Sequence, residues 1–411
     1  MQEAIETDGR YAWFRLIITL MVGIVANAGM WAIIVIMPAV EAEFGTTRAD
    51  AALPYTLNMI GFALGNFAIG RALDRFGVTL SLILAALGLV GGLILAIMSQ
   101  SIAMLSFAQL IVGFASAVGF GPLIADISHW FVRRRGIAVA LVASGNYLSG
   151  VVWPMLLAGV LQDQGWRAVY EVMAIVTLVV VIPLSFLLRR KVSEATHASA
   201  QLASSLNARS VGLSPRVLAG LLAFAGIGCC IAMSMPQVHI VSLCVDLGFG
   251  PAVGAEMLSL MLLGGVGSRI VSGLLADRLG GLRTLLIGST LQTIALFLYL
   301  PAGGLVSLYV VSLVFGLSQG GIVPSYALVV REYMPAKEAG ARVGFVMMAT
   351  IIGMAVGGWV SGQIYDMTGS YQWAFINGII WNAINVAILL WLLMRSRPRR
   401  PSMPDAAPRP A

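Results

Sequence analysis

The sequence has little charge and few of the residues that build catalytic or metal-binding sites. Only 10% of its 411 residues are charged, and it contains three histidines and three cysteines. With so little charge the chain cannot cover an apolar interior with a polar surface, which excludes a water-soluble globular fold. The histidines are scattered and the cysteines all belong to the seventh predicted helix, so no metal site is predicted. A phosphate-binding Gly-Lys-Ser/Thr loop is also missing, and we expect neither an enzyme nor a bound cofactor.

Apolar residues, by contrast, make up 59% of the chain. A helix needs about 20 of them in succession to cross the hydrocarbon core of a bilayer. Runs of that length occur at residues 12–38, 49–70, 78–98, 102–126, 136–160, 167–188, 217–243, 252–275, 283–301, 305–330, 341–364 and 371–394. The sequence therefore predicts an all-α membrane protein with twelve transmembrane helices, and the lipid bilayer is its main surrounding.

A repeated loop sequence indicates that the chain is a duplication. Residues 70–77 and 273–280 share the pattern Gly, three residues, Asp-Arg, one residue, Gly, and they lie 203 residues apart. Further residues matched at this offset are Gly113 with Gly316, Gly150 with Gly353, Gly159 with Gly362, and Asp163 with Asp366. The repeat predicts two pseudo-symmetric six-helix bundles, a plan that suits transporters in which one half rocks against the other.

The twelve runs and the repeat together predict five segments. They are a cytoplasmic N-terminus at 1–11, an N-terminal bundle at 12–188, a polar cytoplasmic linker at 189–216, a C-terminal bundle at 217–394 and a disordered cytoplasmic tail at 395–411.

The net charge of +7 predicts orientation rather than a nucleic-acid partner. With the N-terminus inside, 22 of the 25 Lys and Arg residues fall in cytoplasmic segments, as the positive-inside rule requires. Arg48 and Arg167 fall outside, and Arg269 lies within a helix. We therefore expect a monomeric, multi-pass protein of the plasma membrane, the inner membrane of a bacterium, with both termini cytoplasmic.

The repeated loops resemble the loop motif of the major facilitator superfamily. In the first copy the motif residues are Gly70, Asp74, Arg75 and Gly77. The resemblance covers nearly the whole chain and implies the major facilitator fold. Because both loops are predicted on the cytoplasmic side, Asp and Arg there can pair across the bundle and with helix ends. We expect the loops to latch the inner mouth shut, or else simply to anchor short turns; the gating residues are Asp74, Arg75, Asp277 and Arg278.

Within that superfamily the chain is similar to the monocarboxylate porters, to related bacterial organic-acid carriers and to oxalate/formate-type exchangers. Residues 130–145 match the fifth-helix signature of the porters, with an aromatic pair, a basic run and small residues ending in Gly145. Residues 29–32 match the end of their first-helix signature, although Ala28 replaces the acidic residue that precedes it. The resemblance implies transport of an organic acid.

Arg269 is the leading candidate for binding the anion. A charged side chain at bilayer depth costs about 2.5 to 3.5 kcal/mol on insertion scales, so it normally faces a cavity or a partner. Its guanidinium can hold a carboxylate through two parallel hydrogen bonds. By resemblance, it matches the eighth-helix arginine that holds the substrate carboxylate in the porters, but Gly265 replaces their usual acid one turn earlier. The alternative is a salt bridge to Asp126 or Glu256.

Other polar or aromatic residues on cavity-lining helices are candidates for shaping the substrate site. They are Trp31, Asn66, Asn146, Tyr147, His239, Gln319 and Tyr326, and each has ordinary packing as its alternative. Asn66 is singled out because it lies 203 residues before Arg269, which predicts a site with its charge in the C-terminal half. Asp126, Glu256 and His239 are the candidates for carrying a coupled proton.

One buried cation suits one carboxylate, so the sequence predicts a secondary active transporter of a small organic monocarboxylate, working by alternating access. Coupling to protons, and the direction of flux, stay open at this point. Three alternatives are efflux of larger amphipathic compounds, dicarboxylate/monocarboxylate exchange and a non-transporting membrane sensor.

Overall fold

The structure is a computed structural model, and it describes residues 8–128, 130–131, 134–190, 209–334 and 336–398. For Asp74 it describes the backbone but not the side chain. The predictions for the N-terminal residues 1–7, most of the linker (191–208) and most of the tail (399–411) concern residues outside this description.

Within the described residues, twelve helical spans are long and apolar enough to cross a membrane. Their helices are, for span 1, Arg10–Ala26 and Ala28–Phe44; span 2, Arg48–Phe76; span 3, Val78–Ile97; span 4, Ile102–Ser116 and Gly121–Ser128; span 5, Arg135–Gln164; span 6, Trp166–Val176 and Ile182–Leu187; span 7, Pro215–Asp246; span 8, Pro251–Leu279; span 9, Gly281–Tyr299; span 10, Leu305–Gln319 and Ile322–Tyr333; span 11, Ala336–Thr368; and span 12, Tyr371–Arg395. The predicted fold class, an all-α membrane protein with twelve spans, is confirmed.

Two faces of the bundle are named here by their charge. The basic face is where span 1 begins at Arg10, and it carries exposed arginines such as Arg75, Arg134 and Arg278. The opposite face is where span 1 ends at Phe44. A two-stranded antiparallel pairing of Arg209–Ser210 with Arg397–Pro398 joins the segment before span 7 to the segment after span 12.

Several spans are interrupted, which the apolar runs alone do not reveal. A 3-10 turn at Ala117–Gly119 breaks span 4, and Gly320 and Gly321 separate the two helices of span 10. A π-helical segment at Thr177–Val181 interrupts span 6. Backbone groups freed at such breaks need partners inside a membrane. At the span 4 break, the Asn66 side chain supplies one by accepting a hydrogen bond from the Gly121 N–H at 3.1 Å.

Matched glycines allow two pairs of spans to touch backbone to backbone. A Cβ atom added at Gly113 of span 4 would lie 1.9 Å from the Asn58 carbonyl oxygen of span 2. A Cβ atom at Gly316 of span 10 would lie 2.0 Å from the Met261 carbonyl oxygen of span 8. Small residues at membrane-helix interfaces permit such approach. The sequence repeat thus corresponds to the same packing contact in each set of six spans.

Candidate functional site

Arg269 lies buried in span 8, where the first six spans meet the last six. Its Nε donates to the Gly320 carbonyl at 3.1 Å, at the break in span 10. Its Nη1 donates to the Ala143 carbonyl of span 5 at 2.5 Å, and the guanidinium carbon lies 4.1 Å from the centre of the Tyr147 ring. The guanidinium is therefore held by neutral groups from both sets of spans.

Arg269 has no carboxylate partner among the residues that the structure describes. The two acids that could have neutralised it are engaged elsewhere, Asp126 with Arg15 and Glu256 with the Tyr309 hydroxyl. No hydrogen bond of Nη2 is described, and the guanidinium also interacts electrostatically with the Tyr147 side chain. The described contacts of Arg269 are thus all with neutral groups, which leaves its charge available to an anion.

An aromatic wall fixes the position of the guanidinium. The Trp31 ring meets the Tyr147 ring edge to face at 6.4 Å, and Trp31 Nε1 donates to the Asn146 carbonyl at 2.8 Å. Two glycines make room for these rings, since a Cβ atom at Gly265 would lie 2.8 Å from the Tyr147 ring and one at Gly150 would lie 2.7 Å from the Trp31 ring. Gly265, which stands where the porters carry an acid, thus provides space for Tyr147.

Tyr55 of span 2 was not among the residues predicted from the sequence. It is 1% exposed, and it lies near enough to Tyr147 and Cys230 to interact electrostatically with both. A Cβ atom at Gly358 would lie 3.1 Å from its ring. A tyrosine inside an apolar run was the available signal, but tyrosine is common enough in membrane helices that this signal is weak.

Three predicted site residues have side chains that are already hydrogen-bonded within the protein. Asn146 donates to the Asn27 side-chain oxygen at 3.2 Å, and Tyr326 donates to that of Asn385 at 2.7 Å. Asn66 binds the break in span 4, as described above. These bonds join neighbouring helices, so the three residues hold the walls of the site together.

Gln319 has one end of its amide engaged and the other unpaired. Its Oε1 accepts from Gln237 Nε2 of span 7 at 2.6 Å, and its Nε2 has no partner in the described chain. Gln319 directly precedes Gly320, whose carbonyl binds Arg269. The amide therefore lies beside the Arg269 site, although it is fully buried in this conformation.

Asp126, a predicted candidate for proton coupling, belongs to a buried ion pair. Its two carboxylate oxygens accept from Arg15 Nε and Nη2, both at 2.9 Å, and Arg15 also binds the Leu188 carbonyl at 2.9 Å. The Trp130 ring covers the guanidinium at 4.5 Å. The pair ties span 1 to span 4 and to the end of span 6, which favours a structural role.

Replacing Asp126 by asparagine is expected to destabilise the protein strongly, because it leaves the Arg15 charge buried without a counter-charge. Breaking a buried pair in this way costs about 3 to 5 kcal/mol. Denaturation of the purified protein in detergent measures the change. The control is Glu43→Gln, which removes the half-exposed pair with Arg167 at 2.7 Å and should cost under about 1 kcal/mol. Equal losses in the two variants would contradict a structural role for the Asp126 pair.

A second charged group, the Arg48 cluster, closes the opposite face. The Arg48 guanidinium pairs with two carboxylates: Nη1 and Nη2 each lie 3.1 Å from Asp246, and Nε lies 2.6 Å from Glu41. Arg48 Nη1 also donates to the Tyr371 hydroxyl at 2.6 Å. The Asp366 carboxylate accepts from the backbone N–H groups of residues 48 and 49 at 2.9 and 2.8 Å. The cluster joins spans 1 and 2 to spans 7, 11 and 12.

His239 of span 7 contacts this cluster through Tyr371. Its ring contacts the Tyr371 hydroxyl and the Gly358 carbonyl, and the side chain is fully buried. The structure therefore places His239 with the Arg48 cluster rather than with the anion site. Glu256, the remaining proton candidate, is exposed near the same face.

At the basic face the predicted latch makes no ion pair in the described part of the chain. Arg75, Asp277 and Arg278 are exposed, and none of the three has a carboxylate or cation within 4.0 Å there. The polar contacts between the two sets of spans that the structure describes lie at the level of Arg269 and toward the opposite face, for example Thr56 Oγ1 to the Ala355 carbonyl at 3.1 Å. The molecule is thus closed at the opposite face.

The family model described as "Major Facilitator Superfamily" matches residues 19–341 and 245–410, which together cover most of the chain. The chain belongs to this superfamily. The predicted resemblance and the multi-pass membrane character are therefore confirmed. A solved structure with the same superfamily fold is a bacterial homologue of the human lysosomal transporter Spinster, with a TM-score of 0.66 and 13% identity over 94% of this chain and 96% of that one.

Among curated members of the superfamily, monocarboxylate transporter 13 of Rattus norvegicus is 25% identical over 90% of this chain and 86% of its own length. An agnestins efflux protein of Paecilomyces divaricatus is 23% identical over 79% of this chain and 73% of its own. The fungal transporter pynF of Aspergillus niger is also 23% identical, over 81% and 76%. These relatives are transporters, so the chain is similar to carriers rather than to enzymes.

Proposed function

We propose that this major facilitator superfamily member carries a small organic monocarboxylate across the plasma membrane by alternating access. The observation that carries the proposal is Arg269, a buried arginine between the two sets of spans that contacts only neutral groups and no carboxylate in the described chain. A charged side chain inside a membrane span is costly and marks a functional site by default, and the two carbonyls that hold Arg269 leave its charge without a counter-ion that an anionic substrate would supply. A carboxylate suits the planar guanidinium because it can accept two hydrogen bonds in parallel.

The charge balance of the buried arginines favours a monoanion. Arg15 and Arg48 are both buried, and both are bound to carboxylates of the protein. A second carboxylate on the substrate would therefore meet no uncompensated cation among these buried side chains. The similarity to a monocarboxylate transporter supports the same class.

The basic face is assigned to the cytoplasm, because membrane proteins place their excess of Lys and Arg there. In this conformation the Arg48 cluster closes the outer mouth, and Arg269 lies at the inner limit of the contacts between the two sets of spans. The two repeated loops would then close the inner mouth in the alternate state, through Asp74 and Arg75 in the first loop and Asp277 and Arg278 in the second. Tyr147, Trp31 and Tyr55 shape the site, and the Gln319 amide lies beside it.

Uptake into proteoliposomes tests this proposal. We expect entry of a radiolabelled short monocarboxylate, inhibited by other short monocarboxylates and much less by dicarboxylates of the same length. Empty liposomes are the control.

Efflux of larger amphipathic compounds is the competing function, since the agnestins efflux protein is a relative and the site has an aromatic wall. Inhibition by hydrophobic compounds but not by carboxylates would contradict the monocarboxylate proposal and favour efflux.

A further inference from the structure

The hydrogen bonds of His239 define which of its nitrogens carries a proton. Nε2 lies 2.7 Å from the Gly358 carbonyl oxygen of span 11, and Nδ1 lies 3.1 Å from the Tyr371 hydroxyl of span 12. A carbonyl oxygen can only accept, so Nε2 must be the N–H donor. With the ring neutral, Nδ1 is an acceptor and takes the Tyr371 O–H.

The same assignment continues to the Arg48 cluster. Because the Tyr371 hydroxyl donates its proton to His239, its oxygen is free to accept from Arg48 Nη1 at 2.6 Å. Arg48 then uses its other donors on Asp246. A neutral His239 therefore gives an uninterrupted chain of hydrogen bonds from span 11 through spans 7 and 12 to span 2, and each bond in this chain has one donor and one acceptor.

From this geometry we infer that His239 is a pH-sensitive switch of the outer mouth, and that its protonation opens that mouth. An imidazolium carries a proton on both nitrogens. Its Nδ1–H would face the Tyr371 hydroxyl, which would have to reverse its own O–H and accept from two cationic donors, Arg48 and His239. Among the described residues, Arg48 and His239 are the hydrogen-bond partners of the Tyr371 hydroxyl, and neither could accept the displaced Tyr371 proton once His239 is protonated.

The acidic groups of the cluster do not remove this conflict. Arg48 and Tyr371 are the groups linked to His239 by hydrogen bonds, while Tyr365 packs on Tyr371 with ring centres 4.5 Å apart. The carboxylates, Glu41, Asp246 and Asp366, are held by the Arg48 guanidinium and by the N-terminus of span 2. Any carboxylate that turns toward the imidazolium must leave one of these contacts, and that also loosens the closed mouth.

The consequence is a defined order of events on the outer side. Protonation favours the outward-open state, in which the ring is hydrated, and loss of the proton favours closure. The proton is therefore released before the mouth closes, so His239 sets the pH at which the outer mouth opens and does not carry a proton with the substrate; its effect on flux rests on the proposed transport function. The response of the outer mouth to pH does not depend on which substrate is carried.

Electron-paramagnetic distance measurements test the inference on the full-length protein in liposomes. Spin labels at Ala42→Cys and Leu247→Cys, exposed positions at the outer ends of spans 1 and 7, report the opening, while the native cysteines are buried and left in place. We expect a short distance near pH 8 and a growing population of longer distances toward pH 5, the range in which a histidine changes charge.

Four variants, one of them a reserve, make the result specific. His239→Gln can still donate to Gly358 and accept from Tyr371 but cannot titrate, so its distances should not change with pH. Arg48→Met should be open at every pH, with Asp366→Asn as a second variant should Arg48→Met fail to fold. Arg167→Met, which breaks a half-exposed outer pair within the first six spans, should behave as the wild type. A pH-independent wild type, or a His239→Gln variant that still opens in acid, would overturn the inference.

A flux measurement separates this inference from the proposed function. In proteoliposomes, wild-type uptake should change several-fold as the outer pH is lowered from 8 to 5, and His239→Gln should lose that dependence while keeping substrate exchange. If no carboxylate is carried at all, the proposed function fails, and the distance measurements still decide whether His239 controls the outer mouth.

Discussion

Replacing Arg269 by glutamine should abolish uptake of monocarboxylates and reduce their binding by about two orders of magnitude or more. Hydrogen bonds to charged groups contribute about 1.5 to 3 kcal/mol each, so losing two of them costs about 3 kcal/mol or more, and each 1.4 kcal/mol is tenfold. The described contacts of Arg269 are two backbone carbonyls and the Tyr147 ring, so no second cation is described there that could replace its charge. Ligand-induced thermal stabilisation of the purified protein measures the binding.

Two further variants separate charge from geometry. Arg278→Gln removes an exposed arginine from the same span and should leave binding unchanged. Arg269→Lys keeps the charge but loses the planar pair of donors, so it should bind with intermediate affinity. An Arg269→Gln variant that is stabilised by carboxylates as well as the wild type would refute Arg269 as the anion site.

The sequence identified Arg269 because a charge within an apolar run is rare. It did not reveal how Arg269 is held, since one of its acceptors, the Gly320 carbonyl, is freed by a break in span 10. Apolar composition gives the length of a span but not its interruptions, because the residues of a 3-10 turn or a glycine pair can be as apolar as those of a helix. The twelve spans and the superfamily could be predicted because they depend on features that the sequence shows directly, namely the length and composition of the apolar runs and the repeated loop.

The Arg48 cluster could not be predicted from the sequence. Its members come from five spans, and the sequence showed Arg48 only as one of two basic residues on the outer side and Asp366 only as part of the repeat. Their meeting depends on how the first six spans pack on the last six. The sequence offered His239 as a candidate for the substrate site and for a coupled proton, but its partners, Tyr371 and Gly358, follow from the same packing.

The second large expected effect is a loss of stability when the matched glycines Gly113 and Gly316 are replaced. Gly113→Ala and Gly316→Ala should each destabilise the protein, because the new Cβ would lie about 2 Å from a backbone oxygen of the facing helix, and backbone cannot turn aside as a side chain can. Overpacking of this kind costs about 1 to 3 kcal/mol and occasionally more. Thermal unfolding in detergent measures it. Gly91→Ala and Gly273→Ala are the controls, since nothing lies within 4 Å of a Cβ at either position, and the better helix propensity of alanine should leave them neutral or slightly stabilised.

The two variants should nevertheless differ in function. Gly316 lies one helical turn before Gly320, so displacing span 10 from span 8 moves the Gly320 carbonyl away from Arg269. Gly316→Ala should therefore weaken carboxylate binding as well as stability, whereas Gly113→Ala displaces span 4 from span 2 and leaves the contacts of Arg269 in place. Equal binding by the two variants, measured at a temperature where both remain folded, would show that the span 10 carbonyl does not position the arginine. A selective loss in Gly316→Ala would show that the packing repeated in both halves supports anion binding in only one of them.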